Sequence, residues 1–315
     1  MSTAQAGRAL KLRTRRTRCT KAIAGFSLVE LLVVVSILAL LIAILVPALR
    51  SARGNAQSVV CRANLKNLMS GVLAYAGYNE DIIVPSYNMR GVTGSTANPF
   101  DGWGPILDRG GFVSGSNELR NNPFVCPKTI DRAATPFLGS STPEDNALGY
   151  MDWPAVVTIS GSFSLTLPKR GFDKLVRVSY WINGDNPTGL PQSFEPGAYF
   201  TGSVGYGPNL GGQIMEHNRF SRVKRPGQLI GLADGFYAGK QEATRPGDQN
   251  SRIGYRHRNS RETVNVAFAD GHAGSILGEQ FPRKPAGDVT LEQSRLENTG
   301  SGPTLYADPE HFFDR

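Results

Sequence analysis

The segment from Phe26 to Leu49, FSLVELLVVVSILALLIAILVPAL, restricts this chain more than any other part of it. From Leu31 to Val46 it carries no charged side chain, and Ser36 supplies its only polar side-chain atom. A helix that is apolar on all sides is either the centre of a large core or a membrane span. As a helix, these residues measure about 36 Å, enough to cross a hydrocarbon layer of about 30 Å. Arg8, Lys11, Arg13, Arg15, Arg16, Arg18 and Lys21 precede the run, and residues 1–25 contain no acid. A basic head before an apolar run also describes a cleaved secretory signal. Here the run is longer than the usual apolar region of such a signal, and Arg50 and Arg53 flank the small-residue site near Ala48 and Ala52. The reading is therefore a single membrane span over 26–49. The positive charge ahead of it places the N-terminus in the cytoplasm and the chain after about residue 50 outside.

The same charges settle what the net charge means. A formal +8 invites nucleic acid as a partner. Seven of the 34 basic residues lie in 1–25, however, which leaves 27 basic against 26 acidic side chains in the rest. No nucleic-acid partner is expected. With 315 residues, 40% hydrophobic and 19% charged, the chain is long and apolar enough to bury a sizeable core.

Glu30 breaks the apolar pattern. A carboxylate at the bilayer centre costs about 2.5–3.5 kcal/mol on insertion scales, so its default meaning is a functional group with a partner. One turn from the helix start it is also hydrated and favoured by the helix dipole. On the residues alone both meanings stay open.

The run Gly25-Phe26-Ser27-Leu28-Val29-Glu30-Leu31-Leu32-Val33-Val34, behind its basic leader, resembles the N-terminal motif of type IV prepilins and pseudopilins. The resemblance implies that a prepilin peptidase cuts after Gly25 and that the new amino group of Phe26 is methylated. It also implies that Glu30 pairs with the amino terminus of a neighbouring pilin subunit. Pro47 fits as well, since the family often kinks its helix near this depth and a proline withholds one backbone hydrogen bond.

Beyond the span, Leu65, Leu68, Met69, Val72, Leu73 and Ala76 recur at helical spacing, opposite Lys66, Asn67 and Ser70. The pattern predicts one helix from Phe26 to about Tyr78, whose amphipathic part, 50–79, docks on a globular head. Gly54 and Gly71 each weaken it by about 1 kcal/mol relative to Ala. From Glu80 onward Gly, Pro and short β-rich runs take over. Pro85 to Pro105 reads as a loop with Trp103 as anchor, and Ser160 to Leu167 and Val176 to Asn183 read as strands. Val264 to Phe268, Asp270-Gly271 and His272 to Leu277 form a hairpin signal in which both central turn positions need φ > 0. Leu229 to Ala233 with Asp234-Gly235 repeats it more weakly. The expected fold class is α+β, with an antiparallel sheet in a head over 80–281 and an irregular tail over 282–315.

Several segments carry a second resemblance: Cys61-Arg62-Ala63-Asn64-Leu65-Lys66, Phe124-Val125-Cys126-Pro127, Ser179-Tyr180-Trp181-Ile182-Asn183, Val223-Lys224-Arg225-Pro226, Leu232-Ala233-Asp234-Gly235, and Arg256-His257 leading to Asn265-Val266-Ala267-Phe268-Ala269-Asp270-Gly271-His272. Together they are similar to the planctomycete-type prepilin-like proteins, which end in a His-x9-Asp-Gly signature. Here twelve residues separate His257 from Asp270, and Arg258 to Thr263 is expected to absorb the extra three as a longer loop.

His257, Asp270, His272 and Asp234 are the groups from which a metal or acid/base site could be built. Against this, an Asp-Gly turn already accounts for Asp234 and Asp270, and no cofactor is expected. If an ion binds, calcium is the one that carboxylate-rich loops suit, and weak ligand candidates are Asp234, Asp270 and His272. No nucleophile motif or phosphate loop stands out, so the chain does not read as an enzyme. Of three cysteines, Cys19 lies in the leader. Cys61 and Cys126 remain, either as a disulfide tying the helix to the head or as two buried thiols.

The resulting expectation is a structural pilin-like or pseudopilin subunit with a periplasmic head, assembled with other such subunits through its N-terminal helix and linked to type II-like secretion. The rivals are a membrane-anchored solute- or polymer-binding module, favoured if Trp103, Trp153 and Trp181 share a groove, and an anchored hydrolase using His257 and Asp270.

Overall fold

The computed structural model describes residues 27–86, 103–115, 122–128, 150–152, 156–159, 163–166, 174–176, 178–184, 200–201, 218–235, 253–259, 261–285 and 289–314. By compactness the chain divides between Leu49 and Arg50. One helix, α1 (Leu28–Tyr78), runs through both parts.

After Arg50 the amphipathic stripe does what its spacing predicts. Leu65, Leu68, Met69, Val72 and Ala76 are buried, and Leu73 is partly so. Burying each of the larger ones contributes about 1.5–3 kcal/mol. The helix ends where expected but by a device that the sequence hides. Glu80 and Asp81 both take positive φ, 53° and 68°, and the Asp81 amide donates back to the Ala76 carbonyl at 2.9 Å. That turn sends Ile82 to a bridge with Arg219 and the Ile83 amide to the Asn218 carbonyl.

Trp103 is buried, as an anchor should be, but it opens a short helix, α2 (Trp103–Arg109), instead of closing a loop. Two small antiparallel pairs follow: β1 (Tyr150–Asp152) with β4 (Lys174–Val176), and β2 (Val156–Ile159) with β3 (Phe163–Thr166). The run read as one strand from Val176 to Asn183 is therefore two. Between them the Ser179 amide donates to the Phe124 carbonyl at 2.9 Å, and the chain resumes as β5 (Tyr180–Ile182) in a different sheet.

That main sheet is antiparallel and five-stranded. It joins β5 to β6 (Ile230–Asp234), β6 to β8 (Arg261–Phe268), and β8 to both β7 (His257–Asn259) and β9 (Ala273–Leu277). Thr263 pairs with His257 on one side and Leu277 on the other, while Val266 pairs with Ala233 and with Gly274. The strands β6 and β7 therefore lie end to end along the same edge of β8. The period of two sorts the side chains. Tyr180, Ile182, Leu232 and Ala267 join the α1 stripe in one core, and Trp181, Ala233, Val264, Val266 and Phe268 form a second core with Tyr255, Phe281 and Leu305.

The β8–β9 hairpin is present, with a different turn from the one expected. Gly271, with φ 96°, is the turn's one left-handed residue. Its amide donates to the Phe268 carbonyl and the Phe268 amide to the His272 carbonyl, the pattern of a three-residue loop ending in a left-handed Gly. Residues Arg258 to Thr263 are likewise not a long loop, because they form the β7–β8 hairpin.

The tail expected to be irregular contains two helices, α3 (Leu291–Thr299) and α4 (Pro309–Phe312). Thr290 and Gln293 cap α3 reciprocally, a T-x-x-Q pattern legible in the sequence, and Asp308 with Pro309 starts α4. Between them Thr304 bridges Leu229 in parallel, and the Ile230 amide donates to the Thr304 carbonyl at 2.9 Å. The tail thus closes over the second core.

Gly71 is a packing requirement and not simply a weak helix position. A β-carbon there would come within 2.3 Å of Val113 Cγ2, whereas one at Gly77 would meet nothing within 4 Å. Gly71→Ala should therefore lower stability by about 1–3 kcal/mol through overpacking despite its helix propensity. Gly77→Ala should raise it by about 0.5–1 kcal/mol, both read from thermal unfolding midpoints.

Candidate functional site

At the start of α1 the backbone amide of Ser27 donates to Glu30 Oε2 at 2.9 Å, and the Glu30 amide donates to Ser27 Oγ at 3.2 Å. This is a capping box, S-x-x-E, which the sequence spells out and which occupies the carboxylate locally. The apolar side chains from Leu28 to Leu49 are all exposed, from 36% at Val46 to 79% at Leu28. The helix is long and apolar enough to cross a membrane. Pro47 lies inside α1. Gly25 and Phe26 fall outside the described residues.

The second site is buried. Cys61 comes from α1, Cys126 from the 122–128 segment, Asp234 from the end of β6 and His257 from the start of β7. Their ligand atoms all lie within 4.8 Å of one another. The register of β8 explains how the last two meet. His257 faces Thr263, and the Asn265 amide donates to Asp234 Oδ2 at 3.0 Å, so the two strand ends present their side chains two positions apart along one edge. Asn265 also pairs with Ser58, four-fifths of a helical turn before Cys61, which brings α1 to the same place.

Within the cluster the two sulfurs are 2.8 Å apart as free thiols. Cys61 Sγ donates to Asp234 Oδ1 at 2.8 Å and lies 3.3 Å from the Tyr180 hydroxyl. His257 Nε2 lies 3.1 Å from Asp234 Oδ2 and 3.6 Å from Cys126 Sγ. Burial pushes the Cys61 thiol up, and its hydrogen bond to Cys126 and the Asp234 charge push the same way. Burial also acts to raise Cys126, but the hydrogen bonds from Cys61 and His257 and the Arg256 charge bring it down to about 6. Of the two sulfurs, Cys61 is therefore the one pushed toward the thiol and Cys126 the one pushed toward the thiolate. For His257 desolvation works against the charged form, yet hydrogen bonds to Asp234 and Cys126 lift it to about 9. Asp234 is held low by His257, Arg256 and Cys61 against the effect of its own burial.

These positions change several expectations. Asp234 is not a turn residue: it is fully buried in β6, and the bridge from Gly235 to Ile253 continues the pairing. His257 and Asp270 are not brought together. They sit beyond opposite ends of the β8 stretch from Thr263 to Phe268, roughly 17 Å of strand. Asp270 instead meets His272 at 2.6 Å in an exposed pair at the hairpin tip, and His272 stacks on Phe268. Calcium takes six to eight oxygens, whereas Asp234 is surrounded by two sulfurs and an imidazole. The Cys126, His257 and Asp234 row also lacks the layout of a nucleophile triad, because one nitrogen, Nε2, serves both neighbours and Nδ1 meets no partner among the described residues. Trp103 and Trp181 are buried in different cores and form no groove together, and Trp153 lies outside the described residues. Nothing in the spacing joins the four buried residues. Cys61 is 65 residues from Cys126 and 173 from Asp234, and only the sheet register assembles them.

Asp234→Ala would leave His257 and Cys61 facing no carboxylate in a dry interior. It should lower stability by about 3–5 kcal/mol in denaturant unfolding. Asp270→Ala, at the exposed pair, should change it by less than about 1 kcal/mol.

Residues 20–46 match the family described as the prokaryotic N-terminal methylation motif. Comparison with curated proteins and with solved structures gave no match. The motif, the long apolar helix that carries it and the antiparallel sheet packed on that helix's later turns make the chain type IV pilin-like or pseudopilin-like in architecture. The motif implies processing by a prepilin peptidase.

Proposed function

We propose that this protein is a structural, non-enzymatic subunit of a pilus or pseudopilus, held in the cytoplasmic membrane by residues 26–49 until it assembles through them. The observation that carries this reading is the coincidence of the methylation motif over 20–46 with an uncovered apolar helix whose acidic residue is Glu30. An uncovered helix of this length needs lipid or other apolar helices around it, and a filament supplies the second when the subunit leaves the first. The head faces the outside of the cytoplasmic membrane, by the charge ahead of the span. Among filament systems, a type II-like secretion pseudopilus is the one we favour.

Glu30 then has two partners in succession. In the single subunit it caps α1 through Ser27. In the filament it meets the methylated amino terminus at Phe26 of the next subunit, where an unpaired carboxylate in a dry bundle would be costly. A capping role and a pairing role respond differently to substitution. Glu30→Gln preserves the capping box, which accepts Gln, and removes the charge. Both Glu30→Gln and Glu30→Ala should insert in the membrane normally, and both should reduce crosslinked multimers and sheared filaments at least tenfold. If Glu30→Gln assembled like the wild type, the pairing role would be wrong. Mass spectrometry of the mature chain should find a methylated Phe26 at its start.

A further inference from the structure

We propose that Cys61, Cys126, Asp234 and His257 form a structural zinc site that fastens α1 to the sheet. All four side chains are at most 3% exposed, and each offers a donor atom within 4.8 Å of the other three. Two thiolate sulfurs, an imidazole nitrogen and a carboxylate oxygen are a ligand set that suits zinc, and four protein ligands with no solvent-open position mark a structural site as opposed to a catalytic one. The nearest donor separations run from 2.8 Å to 3.6 Å. Tetrahedral zinc with bonds of about 2.0–2.3 Å needs edges of roughly 3.3–3.8 Å. Seating the ion requires the two sulfurs to part by about 1 Å and Cys61 Sγ to move back from Asp234 Oδ1, shifts of side-chain size.

The charges close as well. Two thiolates, a carboxylate and a divalent ion leave one negative charge, and the Arg256 guanidinium acts on both Asp234 and Cys126 while it donates to the Ser179 carbonyl at 3.1 Å. The ligands have outer support: the Asn265 amide holds Asp234, the Tyr180 hydroxyl lies against Cys61, and Ser179 Oγ accepts from the Cys126 amide. A disulfide between the same sulfurs is the competing chemistry. It would leave Asp234 and His257 as a buried ion pair beside it. Zinc uses all four residues and joins α1, the 122–128 segment, β6 and β7 at one point.

The full-length protein, extracted from membranes in detergent, reduced, exposed to equimolar zinc and dialysed, should hold one zinc per chain by elemental analysis. Cobalt in place of zinc should give a thiolate-to-cobalt charge-transfer band and the intense visible bands of four-coordinate cobalt. Tyr180→Phe should weaken zinc binding about tenfold, and Asp270→Ala should leave it unchanged. A Cys61→Ser, Cys126→Ser double variant should bind none. If that variant fails to fold, the cobalt spectrum of the wild type decides. Zinc no higher than background in the reduced wild type, a cobalt spectrum without the thiolate band, or a Cys61–Cys126 disulfide in the chain as isolated would overturn the proposal.

Discussion

From Cys61 to Ala76, α1 turns one apolar face toward the side chains of β5, β6 and β8, and the globular part is positioned by that contact. Leu65, Leu68, Met69 and Val72 sit in the same buried core as Tyr180, Ile182, Leu232 and Ala267. Gly71 lets the helix approach Val113 closely enough for the core to close. With one sheet face committed to the helix, the other needs its own cover, and Phe281 and Leu305, with Ile253 and Tyr255, help provide it. The C-terminal region is therefore part of the fold's second layer, held by the Leu229–Thr304 bridge and by the Asn183 side chain, which donates to the Leu305 carbonyl at 2.7 Å.

A purely apolar contact of this kind resists separation but tolerates sliding, since one helical turn resembles the next. The buried polar groups supply the register. Ser58 with Asn265, and Cys61 with Tyr180 and Asp234, are contacts that a shifted helix would lose, leaving hydrogen-bonding groups unsatisfied in a dry interior. They lie where β6 and β7 abut on one edge of β8, the place in the sheet where three segments can address the helix together.

The helical stripe, the apolar span and the β8–β9 hairpin were legible in the sequence because each is written in local periodicity. The buried site was only half legible. Asp234-Gly235 looks like a turn when read locally, and only the pairing of Gly235 with Ile253 shows that the strand direction continues and carries Asp234 inward. His257 looked like one end of a signature with Asp270, yet its partners are fixed by the β7–β8 pairing, which no Asn-Gly or Asp-Gly in the sequence announces. The α1 terminus is similar: Glu80 and Asp81 take the left-handed conformation with no glycine to mark it. The capping boxes at Ser27 and Thr290 were present in the sequence as short patterns, and the first of them matters because it shares Glu30 with the proposed assembly contact.

One helix thus serves two surroundings. Its later turns are committed to the sheet of the same chain, and the apolar side chains of its earlier turns are exposed among the described residues. The account rests on other copies of that uncovered segment being its final partners. Electron cryo-microscopy of the assembled filament tests this directly. The account predicts a central bundle of residues 26–49 with the Phe26 amino group of one subunit within about 4 Å of the Glu30 carboxylate of another. A filament joined through its heads, with those helices apart and Glu30 still bound to Ser27, would contradict it.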